Sequence, residues 1–298
     1  MKCRKKHDIA ALIFYISIVA IPILNFIVLK FYVSYIDVFT FAFKKYDVTT
    51  GRYQFTSDFL YNFRNFFNLL SKEPAWKDAL GVTFKNYIVG WLTTPVSMLI
   101  PFYVAKKYPG SRMFKFILMM PGMIASMVWS LIYINFCDRA IVTIFDLAEG
   151  LISNPETQWA ATWFKGFWLG NATSLLLYSG IFSGVSESLV EAGKIDGLGS
   201  VGEFWYIYMP ALYPTWSVGI YTGLAGLFSN YASVFEMYGY DAGKPVATIG
   251  YLLFTQVMRG GTDGVGVNCA GSIFFTLACF PVVLGGKRLM EKLGPSDE

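Results

Sequence analysis

Six stretches of this sequence stay apolar for about 20 residues at a time, the length an α-helix needs to cross a bilayer at about 1.5 Å per residue. They run roughly over 9–31, 80–105, 113–137, 166–185, 211–235 and 265–286. Pro22, Pro95, Pro121, Gly180 and Gly219 fall inside them, and membrane helices tolerate such residues better than soluble ones. Charged residues make up 15% of the 298, against about 25% in soluble domains, so the chain lacks a polar skin for a water-exposed core. Disorder and a disulfide-stapled secreted scaffold are excluded on the same ground. The expectation is an all-α integral membrane protein with six transmembrane helices. It divides into an N-terminal anchor plus an external interfacial segment (1–79), a core membrane domain (80–290) and a short tail (291–298). The first stretch exceeds a signal-peptide core and no small-x-small site follows it, so it reads as a retained anchor.

Lysine and arginine beside helix ends set the orientation. Lys2, Arg4, Lys5 and Lys6 precede the first stretch, Lys106, Lys107, Arg112 and Lys115 lie between the second and third, and Lys287, Arg288 and Lys292 follow the last. All fall on one side, which places both termini in the cytoplasm. Segment 32–79 carries nearly as many basic residues, but they are dispersed among Asp37, Asp47, Asp58, Glu73 and Asp78. The net charge of +4 is too small and scattered for a nucleic-acid partner. Within 59–70, Phe59, Phe63, Phe66, Phe67 and Leu70 recur at helical spacing. That helix either lies in the outer interface or packs against the bundle.

The missing chemistry is equally informative. There is no G-x-x-x-x-G-K-[ST] to cradle ATP, no H-E-x-x-H and no G-x-S-x-G, and His7 is the sole histidine. No catalytic or metal-ligating residue is expected, and no cofactor is expected on this chain. Cys3, Cys137, Cys269 and Cys279 lack metal spacing and read as small hydrophobes, a Cys137–Cys269 bridge being the alternative. The spans are nearly free of charge, with Lys85 and Lys115 near their ends and no carboxylate at any centre. Ion-coupled carriers place charge there, so the energy for any transport must come from another polypeptide.

Between the fourth and fifth stretches lies Glu191-Ala192-Gly193-Lys194-Ile195-Asp196-Gly197, continuing to Ile207, Met209-Pro210 and Pro214. Physically this is a cytoplasmic segment whose short helix needs a docking partner to be ordered, or else an ordinary solvated loop. The segment resembles the EAA motif of permease subunits in binding-protein-dependent ABC importers: Glu191, Ala192, Gly197, Ile207 and Pro210 match in register. Gly193 replaces the second motif alanine, Met209 a leucine, and Leu198 a commonly small residue. Asn65-Phe66, Pro74, Trp76, Ala79-Leu80 and Thr83 are similar to the stretch before the second helix in maltose-type sugar permeases, and Pro121 fits that branch. Cys137-Asp138-Arg139 stands where such permeases often have an Asn/Gly turn.

The resemblance implies the type I ABC importer permease fold, with a coupling loop at 186–210. It implies a second, homologous permease, ATP-binding subunits that use ATP and Mg, an external solute-binding protein, and residence in the bacterial cytoplasmic membrane. Glu191, Ala192, Gly193, Asp196 and Gly197 would meet the ATPase: Glu191 through a basic residue, Gly193 and Gly197 by close approach of the backbone, Asp196 by pairing or by capping a turn. Sugar hydroxyls call for aromatic faces and neutral hydrogen-bonding groups. Trp168, Asn171, Thr173 and Ser174 in the fourth span supply these, as do Ser229 and Asn230 in the fifth; helix–helix hydrogen bonding is the other use for such residues. Asn230 leads, because its spacing from the motif is similar to that of a sugar-contacting position in maltose-type permeases. The alternatives are an importer for glycerol phosphate or polyamine, a self-contained carrier or channel, and a membrane enzyme.

Overall fold

Proline and capping residues decide where the long helices begin. In the computed structural model, which describes residues 2–28, 35–259 and 261–294, helix α4 starts at Pro74 and α8 at Pro155, while α11 carries Pro210 in its first turn. The missing proline N–H costs nothing at these positions. Asn154 caps α8 by accepting the Glu156 N–H at 2.9 Å.

In chain order the helices before segment 186–210 are α1 (Lys2–Asn25), α2 (Asp37–Ala42), α3 (Tyr61–Lys72), α4 (Pro74–Ala105), α5 (Ser111–Met119), α6 (Ser126–Asn135), α7 (Ile141–Phe145) and α8 (Pro155–Ser183). They continue as α9 (Glu187–Ile195), α10 (Ser200–Glu203), α11 (Met209–Ala225), α12 (Ala232–Tyr238), α13 (Ile249–Arg259) and α14 (Gly261–Leu293). A two-stranded antiparallel hairpin, β1 (Lys44–Asp47) and β2 (Arg52–Phe55), lies between α2 and α3, so the fold is helical but not purely α.

Two expected spans are interrupted. The segment 113–137 breaks at a 3₁₀ turn, Met120–Met123, where Pro121 removes a donor and crowds the preceding turn. The segment 211–235 leaves helical geometry between α11 and α12, so Ser229 and Asn230 lie in a break rather than on a helix. The fourth helix starts eleven residues before the expected 166, which brings Lys165 inside it. Three helices among the described residues are long and apolar enough to cross a membrane: Pro74–Ala105, Ser126–Phe145 and Gly264–Lys292. The expected stretch 9–31 and tail 291–298 run partly outside the described residues.

The chain forms two compact units. One comprises Met1–Leu69 with Gln256–Phe274, the other Leu70–Thr255 with Phe275–Glu298. In the first, α3 packs on α14: Phe66 is fully buried, and Phe67 meets Phe274 edge-on at 5.0 Å. A Cβ at Gly271 would lie 2.6 Å from the Phe66 ring, so only glycine admits this approach. Of the two readings of 59–70, packing describes the Phe66 face. Asn62 ties α3 to the hairpin, donating to the carbonyls of Ala42 (2.9 Å) and Lys44 (2.8 Å). The hairpin turn is organised by Asp47, which accepts from the Thr49 N–H and the Thr50 hydroxyl, with Gly51 at φ +64°. These bonds, the Thr50 hydroxyl first, hold the Asp47 carboxyl below its usual value.

The second unit has its main core where α4, α8 and the start of α11 converge. Met98, Phe102, Tyr178, Phe182, Phe204, Ile207, Tyr208 and Leu212 are all buried there, with Phe102 edge-on to Phe182, Phe204 and Tyr208. Among the described residues Cys137, Cys269 and Cys279 are free thiols.

Candidate functional site

The segment 186–210 is an ordered, anchored element. Helix α9 ends in a Schellman motif: the Leu198 N–H bonds to the Gly193 carbonyl at 2.9 Å and the Gly197 N–H to the Lys194 carbonyl at 3.1 Å. Gly197 takes the left-handed position at φ +84°, so its glycine is required by its own helix end. Gly193 is buried, and a Cβ there would approach Ile207 at 2.9 Å and Leu198 at 3.0 Å. Its small size therefore serves packing within the chain. Asp196 sits at the C-cap with its side chain exposed, and Glu191, Ala192 and Lys194 are exposed on the outer face.

The segment returns to the core through α10 and a π-helical turn, Phe204–Tyr208, whose Phe204, Ile207 and Tyr208 are buried. Lys106 at the end of α4 pairs with buried Glu203, and its ammonium lies 5.3 Å from the Tyr208 ring centre. The Tyr108 hydroxyl meets Ser200 Oγ at 2.7 Å. The outward face keeps Ile195 at 86% and Val201 at 73% exposure, large apolar side chains with nothing over them.

The second feature is a pair of adjoining cavities of about 400 and 520 Å³ among α4, α8, α11 and the break before α12. Asn86, Gly90, Ser97, Ser174 and Asn230 line both. The walls are neutral: besides those groups they carry Thr93, Thr94, Thr162, Trp91, Trp216 and Ser233. Along α8 the rings of Trp159, Trp163 and Phe167 stack in sequence, with centroids 6.3 and 5.1 Å apart, and face the larger cavity. Their i, i+4, i+8 spacing puts them on one helical lane. Trp159 is fixed by donating to Asn86 Oδ1 at 2.7 Å, and Lys85 sits over its ring at 3.5 Å.

Of the residues expected to contact substrate, Ser174 and Asn230 are brought together at the shared wall. The rest are not among its lining. Trp168, one position from the ring lane, has a buried Nε1 without a partner among the described residues. Asn171 is buried and donates to the Phe167 carbonyl at 2.8 Å; Thr173 and Ser229 are exposed elsewhere. The signal for the ring lane in the sequence is an aromatic repeat of four, Trp159, Trp163 and Phe167, one turn before the polar residues around Asn171.

The break that presents Asn230 is held from behind. Thr248 donates to the Asn230 carbonyl at 2.7 Å, and a Cβ at Gly250 would come within 2.9 Å of the Asn230 nitrogen and the Phe228 oxygen. The Ile249 N–H donates to Thr83 Oγ1 at 3.0 Å, tying this segment to α4. The second unit also holds an ion pair whose members fall just outside the expected spans. Lys165 is 1% exposed and donates to Ser130 Oγ and to Glu236 Oε2 at 3.2 Å, while Ser126 donates to Glu236 Oε1 at 2.7 Å. Asp138 likewise has a structural duty: it accepts the Ile152 N–H at 2.9 Å and the Ser153 hydroxyl at 2.8 Å, against Gly150.

A short anchored helix, α9, and a pair of neutral cavities among α4, α8 and α11 are thus the two features of the second unit that call for comparison with known proteins. The fold matches, with a TM-score of 0.78 at 15% identity over 98% of this chain and 100% of the other, a chain of a bacterial ABC transporter involved in the import of the acidic polysaccharide alginate. In sequence the chain is similar to the multiple sugar-binding transport system permease protein MsmF of Streptococcus mutans, 21% identical over 84% of this chain and 88% of that one. It is also similar to the maltose/maltodextrin permease MalF of Escherichia coli K12 (22%, covering 63% of this chain and 37% of the longer MalF). A third relative is the sn-glycerol-3-phosphate permease UgpA of Salmonella choleraesuis (22%, covering 73% and 75%). No family model matches the chain. The resemblance to ABC-importer permeases thus holds in both sequence and fold, and these relatives are transport permeases, not enzymes.

Proposed function

We propose that this chain is a pathway-forming permease subunit of an ATP-driven importer for a sugar or oligosaccharide. It sits in the bacterial cytoplasmic membrane with both termini inside. A second permease completes the pathway, ATP-binding subunits bind and hydrolyse ATP with Mg below α9, and an external solute-binding protein delivers the substrate. The observation that carries the reading is the neutral double cavity with its stacked ring lane, joined through α4, α8 and α11 to an outward-facing short helix. Aromatic faces stack on the C–H faces of sugar rings, and amides and hydroxyls meet their hydroxyl groups without a charge to desolvate. A bilayer is supported by the apolar side chains that the helices leave bare, among them Leu92 at 69%, Leu277 at 66% and Phe280 at 62% exposure.

The coupling is a lever. Glu191, exposed on α9, offers a carboxylate to a basic residue of the ATPase, with the exposed Ile195 one turn further along the same helix. The buried Phe204–Ile207–Tyr208 turn and the Lys106–Glu203 pair make the segment move as one body with α4 and α11. Closure of the ATPases would then rock the cavity walls about Asn230 and the ring lane.

Affinity purification of the tagged chain in mild detergent, wild type beside Glu191→Lys, tests this. The expected result is recovery of a second permease and an ATPase with wild type and selective loss of the ATPase with the variant. A chain that elutes alone and moves solute into liposomes without ATP overturns the proposal in favour of a self-contained carrier.

A further inference from the structure

A further cavity of about 840 Å³ lies in the first unit, between the hairpin, α3, the end of α13 and the start of α14. Its lining combines three kinds of group. Tyr46, Tyr53, Phe55 and Tyr61 supply ring faces, and Gln54, Asn65 and Gln256 supply amides. Lys44 and Lys45 supply ammonium donors already placed: Lys44 Nζ lies 5.0 Å from the Phe55 ring centre and Lys45 Nζ 4.8 Å from that of Tyr61. A lysine held over a ring has lost part of its rotamer freedom, so its remaining N–H donors are pre-aimed.

Two observations separate this pocket from an ordinary surface cleft. Gln256 Oε1 is buried with no hydrogen-bond partner among the described residues, an acceptor in the wall that calls for a donor. Asp47, the one carboxylate of the lining among the described residues, is already committed to Thr49, Thr50 and Gln54. The pocket therefore offers ring faces, one unmet acceptor and two cations. A ligand with apolar ring faces and several hydroxyls satisfies all three.

We propose that this pocket binds one end of a saccharide, one to three sugar rings long, as a second binding site outside the pathway cavity. The inference rests on the sugar-importer reading above, and it assigns to segment 44–65 a share in taking up the substrate as it is handed over.

The test uses the importer complex in lipid nanodiscs, with maltotriose and trigalacturonate as probes observed by saturation-transfer NMR. Lys45→Gln alters an exposed side chain and Gln256→Leu removes the unmet acceptor, while Asn230→Ala alters only the pathway cavity. The expected result is that one or both probes bind, that Lys45→Gln weakens binding about tenfold or more, the worth of one charge-assisted hydrogen bond, and that Gln256→Leu weakens it about fivefold, the worth of a neutral one. Part of the signal should survive Asn230→Ala. If neither probe binds, or if binding ignores both hairpin-unit variants, the proposal falls. It falls equally if Thr49→Cys cross-links to the solute-binding protein and saccharide does not compete, for the occupant is then protein. ATP-dependent uptake measured alongside separates the two readings: uptake without binding here overturns this inference alone, whereas binding without ATP-dependent uptake overturns the importer assignment.

Discussion

Replacing Glu236 by glutamine strands the ammonium of Lys165 inside the second unit. Lys165 is 1% exposed, and its donors go to Ser130 and to Glu236 at 3.2 Å. Glutamine preserves the shape and one acceptor oxygen, so the change is almost purely one of charge. Removing one partner of a buried pair costs about 3–5 kcal/mol, because the survivor is left as an uncompensated buried charge. The Glu236 side chain is 24% exposed, so water relieves part of the penalty and the lower end, about 3 kcal/mol, applies. Lys165→Met is milder, at about 1–2 kcal/mol, because the carboxylate keeps its Ser126 donor at 2.7 Å and its access to water. The double variant Lys165→Met with Glu236→Gln removes both charges and should recover to within about 1 kcal/mol of wild type. Thermal unfolding of the purified protein in one detergent at neutral pH measures the series. At about 2–4 °C per kcal/mol for a chain this large, Glu236→Gln should lower the midpoint by about 6–12 °C. A Glu236→Gln protein as stable as wild type would refute the reasoning, as would a double variant no better than Glu236→Gln alone. The pair would then be an exposed contact contributing nothing.

Three further outcomes follow from the same geometry. Gly250→Ala drives a Cβ to 2.9 Å from two backbone atoms of the 228–230 break, which cannot yield as a side chain would. A loss of about 1–3 kcal/mol is expected together with reduced substrate affinity, read by thermal unfolding and by uptake kinetics. Trp163→Ala removes the middle ring of the lane on α8 and should weaken saccharide transport about tenfold in kcat/KM while leaving ATPase co-purification intact, which steady-state uptake beside pull-down would show. Asp47 has a carboxyl held below its usual value by Thr50 and Thr49, so its contribution to the hairpin is fully present above the unfolded-state value of about 4 and lost as pH falls through the folded-state value. Protection of the Thr49 amide, its exchange rate taken relative to the intrinsic rate at each pH, should therefore fall in acid, and Asp47→Asn should abolish that pH dependence.

The amino-acid order by itself determined the helical class and the presence of helices apolar enough to cross a membrane, because apolar runs and the scarcity of charge are sums over local residues and need no knowledge of contacts. It also determined the local geometry of 186–210, where Gly197 and Pro210 act within a few residues of themselves as helix end and helix start. The duty of Gly193 lay out of reach, since it depends on Ile207 and Leu198 arriving over it. Lys165 and Glu236 fell just outside the expected spans, and only helix packing sets them side by side across 71 residues. The hairpin lay out of reach because Lys44–Asp47 does not alternate and the alternation of Arg52–Phe55 lasts only four residues, while Asn62 on a later helix secures the start of the first strand. Asn230 reached the cavity wall, but on a break that Thr248, Gly250 and Thr83 impose from distant parts of the chain. Periodicity reports which face of a helix is apolar. Which neighbour meets that face is a property of the packed structure alone, and the ring lane of Trp159, Trp163 and Phe167 became a candidate substrate surface only when packing placed a cavity in front of it.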